Sequence, residues 1–155
     1  MEPPQIRYTK TADGVSIAYF AIGTGPTMIA MPMMPVTHIE LEWKVDGLRR
    51  YGEAVAQAGR YVRYDGRGFG LSDRNAHDFS LEAMVRDLEA VVDAVGSDSF
   101  VLMATQWMAM PALAYGALRP DRVSALVLRL GVARGEDLSG RVPALLELVR
   151  NDWEA

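Results

Sequence analysis

Hydrophobic positions along this chain fall into short apolar runs separated by longer stretches with helical spacing. β-Branched and aromatic residues dominate two early runs, at 6–11 and 15–22, and the Asp13-Gly14 pair between them favours a tight hairpin turn. The run at 27–31 is continuously apolar, which is typical of a strand covered on both faces of its sheet. Further strands are predicted at 60–64, 100–104 and 124–130.

The clearest helix is predicted to follow Ser80, which suits the N-cap position, and to end at Gly96. Other helices are predicted at 48–58, 108–119 and 142–150. Strands that alternate with helices after an opening hairpin indicate right-handed crossovers and a mostly parallel sheet. In the helix that follows Ser80, six apolar residues share one face at helical spacing: Met84, Val85, Leu88, Val91, Val92 and Val95.

The predicted fold class is therefore α/β, with a sheet of about six strands, an N-terminal antiparallel hairpin and flanking helices. We expect a single domain over 1–155, in which 1–26 forms the hairpin and 27–131 forms the core βα units. The remainder, 132–155, is expected to be the start of a lid or a dimerisation helix.

Composition excludes several classes of function. The 20 acidic and 16 basic residues give a net charge of −4 without any block of like charge, so neither nucleic acid nor an anionic membrane is an expected partner. The chain has no cysteine, which excludes disulfides and thiolate chemistry. The opening residues do not form a signal peptide and no apolar run reaches membrane-spanning length, so a cytoplasmic location is expected.

The strand predicted at 100–104 runs directly into a helix through the residues Ala104-Thr105-Gln106-Trp107-Met108. A buried strand that enters a helix through a tight turn is the layout of the nucleophile elbow, in which G-x-S-x-G exposes a serine above a parallel sheet. Gln106 stands at the position of that serine. A carboxamide is not a nucleophile at neutral pH, so this turn lacks the reacting group.

Several motifs resemble the α/β-hydrolase superfamily, specifically the N-terminal part of its fold. The segment 63–73, RYDGRGFGLSD, is similar to the D-x-R-G-x-G-x-S loop of that family, and 119–123, RPDRV, resembles its H-P-E-R-V turn. His38-Ile39-Glu40 with Trp43 looks like the H-x-E-x-x-W segment of α/β-hydrolase modules that are sometimes joined to nucleotide cyclases or transcription regulators. The resemblance implies the family's sheet and a catalytic triad in the order Ser, Asp or Glu, His.

The chain departs from that family in three respects. Gln106 replaces the serine, and Ala104 and Met108 replace the glycines beside it. The oxyanion loop, which usually begins His-Gly, reads MPMMP at 31–35, and proline has no N–H to donate. No histidine follows Gln106, and the last two strands of the family's sheet are missing, which leaves an edge after 124–130 that proteins seldom leave open. Either two copies associate through that strand or the helix at 142–150, or the sequence is part of a longer chain.

The candidate ligand-binding residues are Gln106, Trp107, Met33, Met34 and His38. Gln106 either bonds a ligand carbonyl or amide, or it caps the following helix or faces a partner. Trp107 and the methionines either line a cavity for an apolar ligand or fill the volume of a lost catalytic site. His38 is either a proton carrier or a locally bonded loop residue. The charged residues Asp65, Arg67 and Asp73 are expected to hold their loop together, and no metal or cofactor is expected.

These observations predict a catalytically impaired α/β-hydrolase homologue that acts as a small-molecule-binding or protein-interaction module. The expected partners are an apolar small molecule and a second copy of the chain. The alternative is a hydrolase of ester-like bonds whose acid and histidine come from a partner chain or a missing C-terminal part. Activity as a serine hydrolase is not expected.

Overall fold

The computed structural model describes residues 2–33 and 36–134. Six strands form one sheet in the order β1-β2-β4-β3-β5-β6. The first two strands form an antiparallel hairpin, β2 is antiparallel to β4, and the four strands β4-β3-β5-β6 are parallel. The predicted sheet with its leading hairpin is therefore confirmed. The strands are β1 Arg7–Lys10, β2 Ser16–Ile22, β3 Thr27–Ala30, β4 Arg60–Tyr64, β5 Phe100–Thr105 and β6 Val123–Arg129.

Four helices flank the sheet in the described part of the chain: α1 Ile39–Lys44, α2 Asp46–Ala58, α3 Leu81–Val95 and α4 Ala109–Leu118. Three of them agree with the predicted helices, whereas α1 was not predicted. At six residues α1 is too short to show a helical period, and its apolar contacts come from one pair, Ile39 and Trp43, spaced four residues apart. The helix predicted at 142–150 lies outside the described residues, so the single domain over 1–155 stays a prediction.

Helix α3 shows how local sequence fixes an element of this fold. The Ser80 hydroxyl accepts a hydrogen bond from the backbone N–H of Ala83 at 3.2 Å, which is the N-cap arrangement. Gly96 ends the helix in the left-handed conformation, with φ of 66°, and its N–H bonds to the carbonyl of Val92. Both predicted ends of the helix are confirmed.

Each face of the sheet has its own apolar core. Helices α3 and α4 cover one face, where Leu88, Leu102 and Tyr115 are fully buried. Helices α1 and α2 cover part of the opposite face, where Phe20 and Trp43 are packed edge to face at 5.7 Å. Side chains alternate between the two faces along each strand, so neighbouring residues of one strand belong to different environments.

Strand β6 forms the outer edge of the sheet, and none of the described strands pairs with that edge. Leu126, Val127 and Leu128 are each more than a third exposed. Natural proteins normally cover, shorten or charge edges of this kind. Association of two copies along β6 stays a prediction.

Candidate functional site

Gln106 lies at the sharp turn between β5 and α4. Its φ is 54°, in the left-handed region that residues other than glycine rarely adopt. The residue begins a single 3₁₀ turn, Gln106–Met108, which leads straight into α4, and its side chain is exposed. The structure therefore contains the predicted strand, turn and helix, with an amide side chain at the apex.

Backbone hydrogen bonds hold this turn in place. The carbonyl of Gln106 accepts from the N–H of Ala109 and, at 3.4 Å, from the N–H of Val132. Trp107 is partly buried against the core below α4, and Met108 is only 2% exposed. The side chains after Gln106 thus anchor the turn in the core, whereas the amide itself faces outward.

A cavity of about 310 Å³ lies on the other side of the sheet, under α1 and α2. Its floor is a row of side chains in register across five strands, from Phe20 on β2 to Val127 on β6. The row in strand order is Phe20, Arg63, Ala30, Met103 and Val127. The side chains of Ile39, Trp43, Leu48 and Tyr51 line it from the helices.

A glycine on α2 permits close packing of this helix near the cavity. A methyl group at Gly52 would lie 3.1 Å from Cζ3 of Trp43 and 3.3 Å from Cε1 of Tyr61, which is closer than ordinary contact. The absent side chain therefore lets α2 approach the aromatic rings. Gly52 is buried in this position.

Among the predicted ligand-binding residues that the structure describes, one lines this cavity. Met33 lines it, whereas Gln106 and Trp107 are not among the residues around it. His38 caps α1, and its Nδ1 accepts from the backbone N–H of Leu41 at 3.4 Å. Met34 lies outside the described residues. Four polar residues of the cavity were missed by sequence reasoning: Glu42, Arg63, Thr105 and Arg129.

One of these could have been found from the sequence, because Arg63 is a charged residue within an otherwise buried strand. Its side chain is 9% exposed, and its Nε and Nη2 donate to the two carboxylate oxygens of Glu42 at 3.1 and 2.9 Å. The remaining Nη1 donates to the carbonyl of Met31 at 2.7 Å. A buried arginine needs such a partner, because an uncompensated buried charge is strongly destabilising.

Tyr61, which also lines the cavity, supplies a pH-dependent prediction. Burial raises the pKa of its hydroxyl to about 12. A raised folded pKa means that the stability contribution of neutral Tyr61 is complete below about pH 10 and is lost as the pH rises towards 12. We expect the unfolding free energy of Tyr61→Phe to fall less than that of the wild type over this interval. Chemical denaturation at stepped pH checks this, and equal slopes for the two proteins would contradict it.

The glycine-rich loop after β4 is organised by the buried carboxylate of Asp65. That carboxylate accepts from the hydroxyl of Thr37 at 2.7 Å and from the N–H groups of Ile39 and Leu71 at 3.0 and 2.9 Å. The same loop is fixed to β2 because Ser72 accepts from the N–H of Ala18 and donates to the carbonyl of Asp65. Asp65 therefore joins the loop after β3 to the glycine-rich loop.

Arg67 forms the second anchor of this loop. Its side chain is 1% exposed and bonds to Asp87 at 2.8 Å and to Asp13 at 2.9 Å. The guanidinium holds the pKa of Asp13 well below its usual range, while burial raises the pKa of Asp87. These contacts tie the hairpin, the loop and α3 together, as expected for the loop charges. Asp73 contributes a shorter link, accepting from the N–H of Asn75 at 3.0 Å.

Residues 2–33 and 36–134 contain neither a metal-binding cluster of side chains nor a membrane-spanning helix. No group of three or more histidine, aspartate or glutamate side chains there has the arrangement needed to hold a metal ion. No helix in this part of the chain has the length and apolar character needed to span a membrane.

Comparison with known proteins places this fold in a family. Residues 49–150 match the family model described as alpha/beta hydrolase fold. An epoxide hydrolase from Caballeronia sordidicola is 32% identical over 77% of this chain and 35% of its own length. The solved structure of an epoxide hydrolase from an endophytic Streptomyces has a TM-score of 0.68 at 29% identity, over 83% of this chain and 37% of the other.

A thermophilic esterase from Thermogutta terrifontis gives a TM-score of 0.72 over 96% of this chain and 54% of the esterase, and at 24% identity this shows a shared fold alone. The chain spans about a third of the length of the curated relatives it matches. The family match covers most of the parallel sheet, including the elbow at Gln106 and the helices beside it. The chain therefore belongs to the α/β-hydrolase fold family.

Proposed function

We propose that this chain is a catalytically impaired α/β-hydrolase homologue that binds an apolar small molecule in the cavity under α1 and α2. The cavity carries the proposal. Its volume of about 310 Å³ lies at the lower end of the range of about 300–1,000 Å³ found for small-molecule sites. Aliphatic, thioether and aromatic side chains form most of its walls, which favours an apolar ligand over a sugar or nucleotide.

The amide at Gln106 supports the loss of catalysis. The turn has the shape that presents a nucleophile in this family, but a carboxamide cannot attack a carbonyl or an epoxide as a carboxylate or alkoxide does. The scaffold is retained and the reacting group is replaced.

A hydrolase of ester-like bonds is the second candidate, with its acid and histidine supplied by a partner chain or by further polypeptide. Two observations favour it: Gln106 keeps the backbone conformation of an elbow, and several relatives are named as epoxide hydrolases. It requires a nucleophile other than Gln106.

Binding can be tested with N-phenyl-1-naphthylamine, a neutral apolar dye that fluoresces when it leaves water. Val127 and Leu128 are adjacent on β6 and similarly exposed, but they point to opposite faces of the sheet and only Val127 lines the cavity. We expect Val127→Trp to fill the open side of the cavity and weaken dye binding by about tenfold. Leu128→Trp, the matched control, should bind the dye like the wild type.

Two results would contradict the proposal. Dye binding that is absent from the folded wild type would remove the binding function. Equal weakening in the two tryptophan variants would place the bound dye on the β6 edge as a whole, and not in the cavity. Circular dichroism of each variant confirms that the comparison is made between folded proteins.

A further inference from the structure

The charged side chains around the cavity are unequally paired. Glu42, Arg63 and Arg129 line it, and the first two neutralise each other through the two-point contact described above. All three nitrogens of the Arg63 guanidinium are used, two by Glu42 and one by the carbonyl of Met31. The charge of Arg63 is therefore already balanced by Glu42.

Arg129 differs from Arg63 because no residue in the described part of the chain pairs with it. It is exposed at the end of β6, and within residues 2–33 and 36–134 its guanidinium has no hydrogen bond or ion pair. Seven other arginines of the described chain are bound to carboxylates, so an unpaired guanidinium beside an apolar cavity is a distinct feature. Those seven are Arg49, Arg50, Arg63, Arg67, Arg86, Arg119 and Arg122.

Strand register places a second donor beside Arg129. Thr105 on β5 lies directly opposite Arg129 on β6, and both line the cavity. The Thr105 hydroxyl makes no capping bond to the turn that follows it and, in the described part of the chain, no other hydrogen bond. A guanidinium and a hydroxyl therefore stand together at the carboxyl end of the strands, next to an apolar chamber.

We propose, on the basis of the binding function above, that the ligand is an apolar monoanion, such as a medium-chain carboxylate, whose charged group is bound by Arg129 and Thr105. The apolar body occupies the space above Ala30, Met103 and Val127. The anion lies at the open end, where it keeps part of its hydration and so avoids the full cost of burying a charge. Hydrogen bonds between a guanidinium and a carboxylate or sulfonate are stronger than bonds between neutral groups.

A matched pair of dyes tests this inference. 8-Anilinonaphthalene-1-sulfonate differs from N-phenyl-1-naphthylamine by one sulfonate group. We expect Arg129→Gln to weaken binding of the sulfonated dye by roughly three- to tenfold and to leave binding of the neutral dye unchanged. Added salt should weaken binding of the sulfonated dye more in the wild type than in Arg129→Gln, because salt screens the exposed charge pair.

Arg7→Gln is the control variant. Arg7 is also exposed and unpaired in the described residues, but it lies on β1 at the opposite edge of the sheet, and its replacement changes the net charge by the same amount. It should leave the affinity for both dyes unchanged. Equal weakening of the sulfonated dye in the two variants would assign the effect to net charge and overturn the role of Arg129.

The two dyes distinguish a failure of the monoanion inference from a failure of the binding function on which it rests. If the neutral dye binds in the cavity but Arg129→Gln leaves the affinity for the sulfonated dye unchanged, the monoanion inference is wrong and apolar binding stands. If neither dye binds, the proposed binding function itself fails. Loss of sulfonate affinity alone, confined to Arg129→Gln, supports the monoanion.

Discussion

Replacing Arg67 by methionine is expected to lower the free energy of unfolding by about 3–5 kcal/mol at pH 8. Methionine has an apolar side chain of similar length, so the volume is largely kept. The buried carboxylate of Asp87, which is 2% exposed, loses the guanidinium that pairs with it. It also releases Asp13 at the hairpin turn. Denaturant unfolding followed by circular dichroism measures the loss.

The same variant should be less impaired at pH 5 than at pH 8. Burial already raises the pKa of Asp87, and removal of Arg67 raises it further, since the arginine is the main influence that lowers it. A raised folded pKa gives a stability contribution that is present at low pH and is lost as the pH rises through the folded value.

Arg119→Met is the control: its ion pair with Glu89 is exposed, so about 0–1 kcal/mol should be lost. Equal losses of unfolding free energy in the two variants would show that the buried ion pairs of Arg67 stabilise the fold no more than an exposed pair does.

Gly70→Ala is expected to destabilise the fold by about 2–5 kcal/mol. Gly70 has a φ of 52°, which strains any residue with a side chain, and an added methyl group would overlap the carboxylate of Asp65. That carboxylate must then shift, which disturbs the hydrogen bonds from Thr37 and Ile39 that hold the loop after β3. The change therefore combines backbone strain with lost buried hydrogen bonds.

Two other glycines separate these contributions. Gly14 has a φ of 86° but nothing lies within 4 Å of an added methyl group, so Gly14→Ala should show the strain alone, about 1–2 kcal/mol. Gly47 in α2 has no positive φ and open space around it, so Gly47→Ala should be neutral or stabilise by up to about 1 kcal/mol. If Gly70→Ala proved no worse than Gly14→Ala, Asp65 would not hold the loop as described.

Most of the fold could be predicted from the sequence because its signals are local. Apolar runs located the strands, and Ser80 and Gly96 fixed the ends of α3 through capping chemistry that involves only neighbouring residues. The elbow could also be predicted, since a buried strand and the following helix leave only a tight turn at Gln106. Helix α1 escaped prediction because its stability depends on Trp43 and Ile39 packing against a distant strand.

The cavity could not be predicted for a related physical reason. Its floor is formed by residues that are far apart in sequence, such as Phe20 and Val127, and become neighbours only through the strand order. The sequence placed the expected ligand site near Gln106, at the end of β5, whereas the described cavity extends along the face beneath α2. Arg63 was the available clue, because a charged residue in a buried strand requires a partner on another element.

The side chain at the apex of the elbow is the amide of Gln106, and we expect it to form no covalent intermediate. Intact-mass spectrometry after incubation of the purified chain with an aryl epoxide, a nitrophenyl ester and a fluorophosphonate tests it most directly. We expect an unchanged protein mass with all three reagents. A one-to-one adduct that maps to a side chain of the folded protein would contradict it and favour the hydrolase candidate.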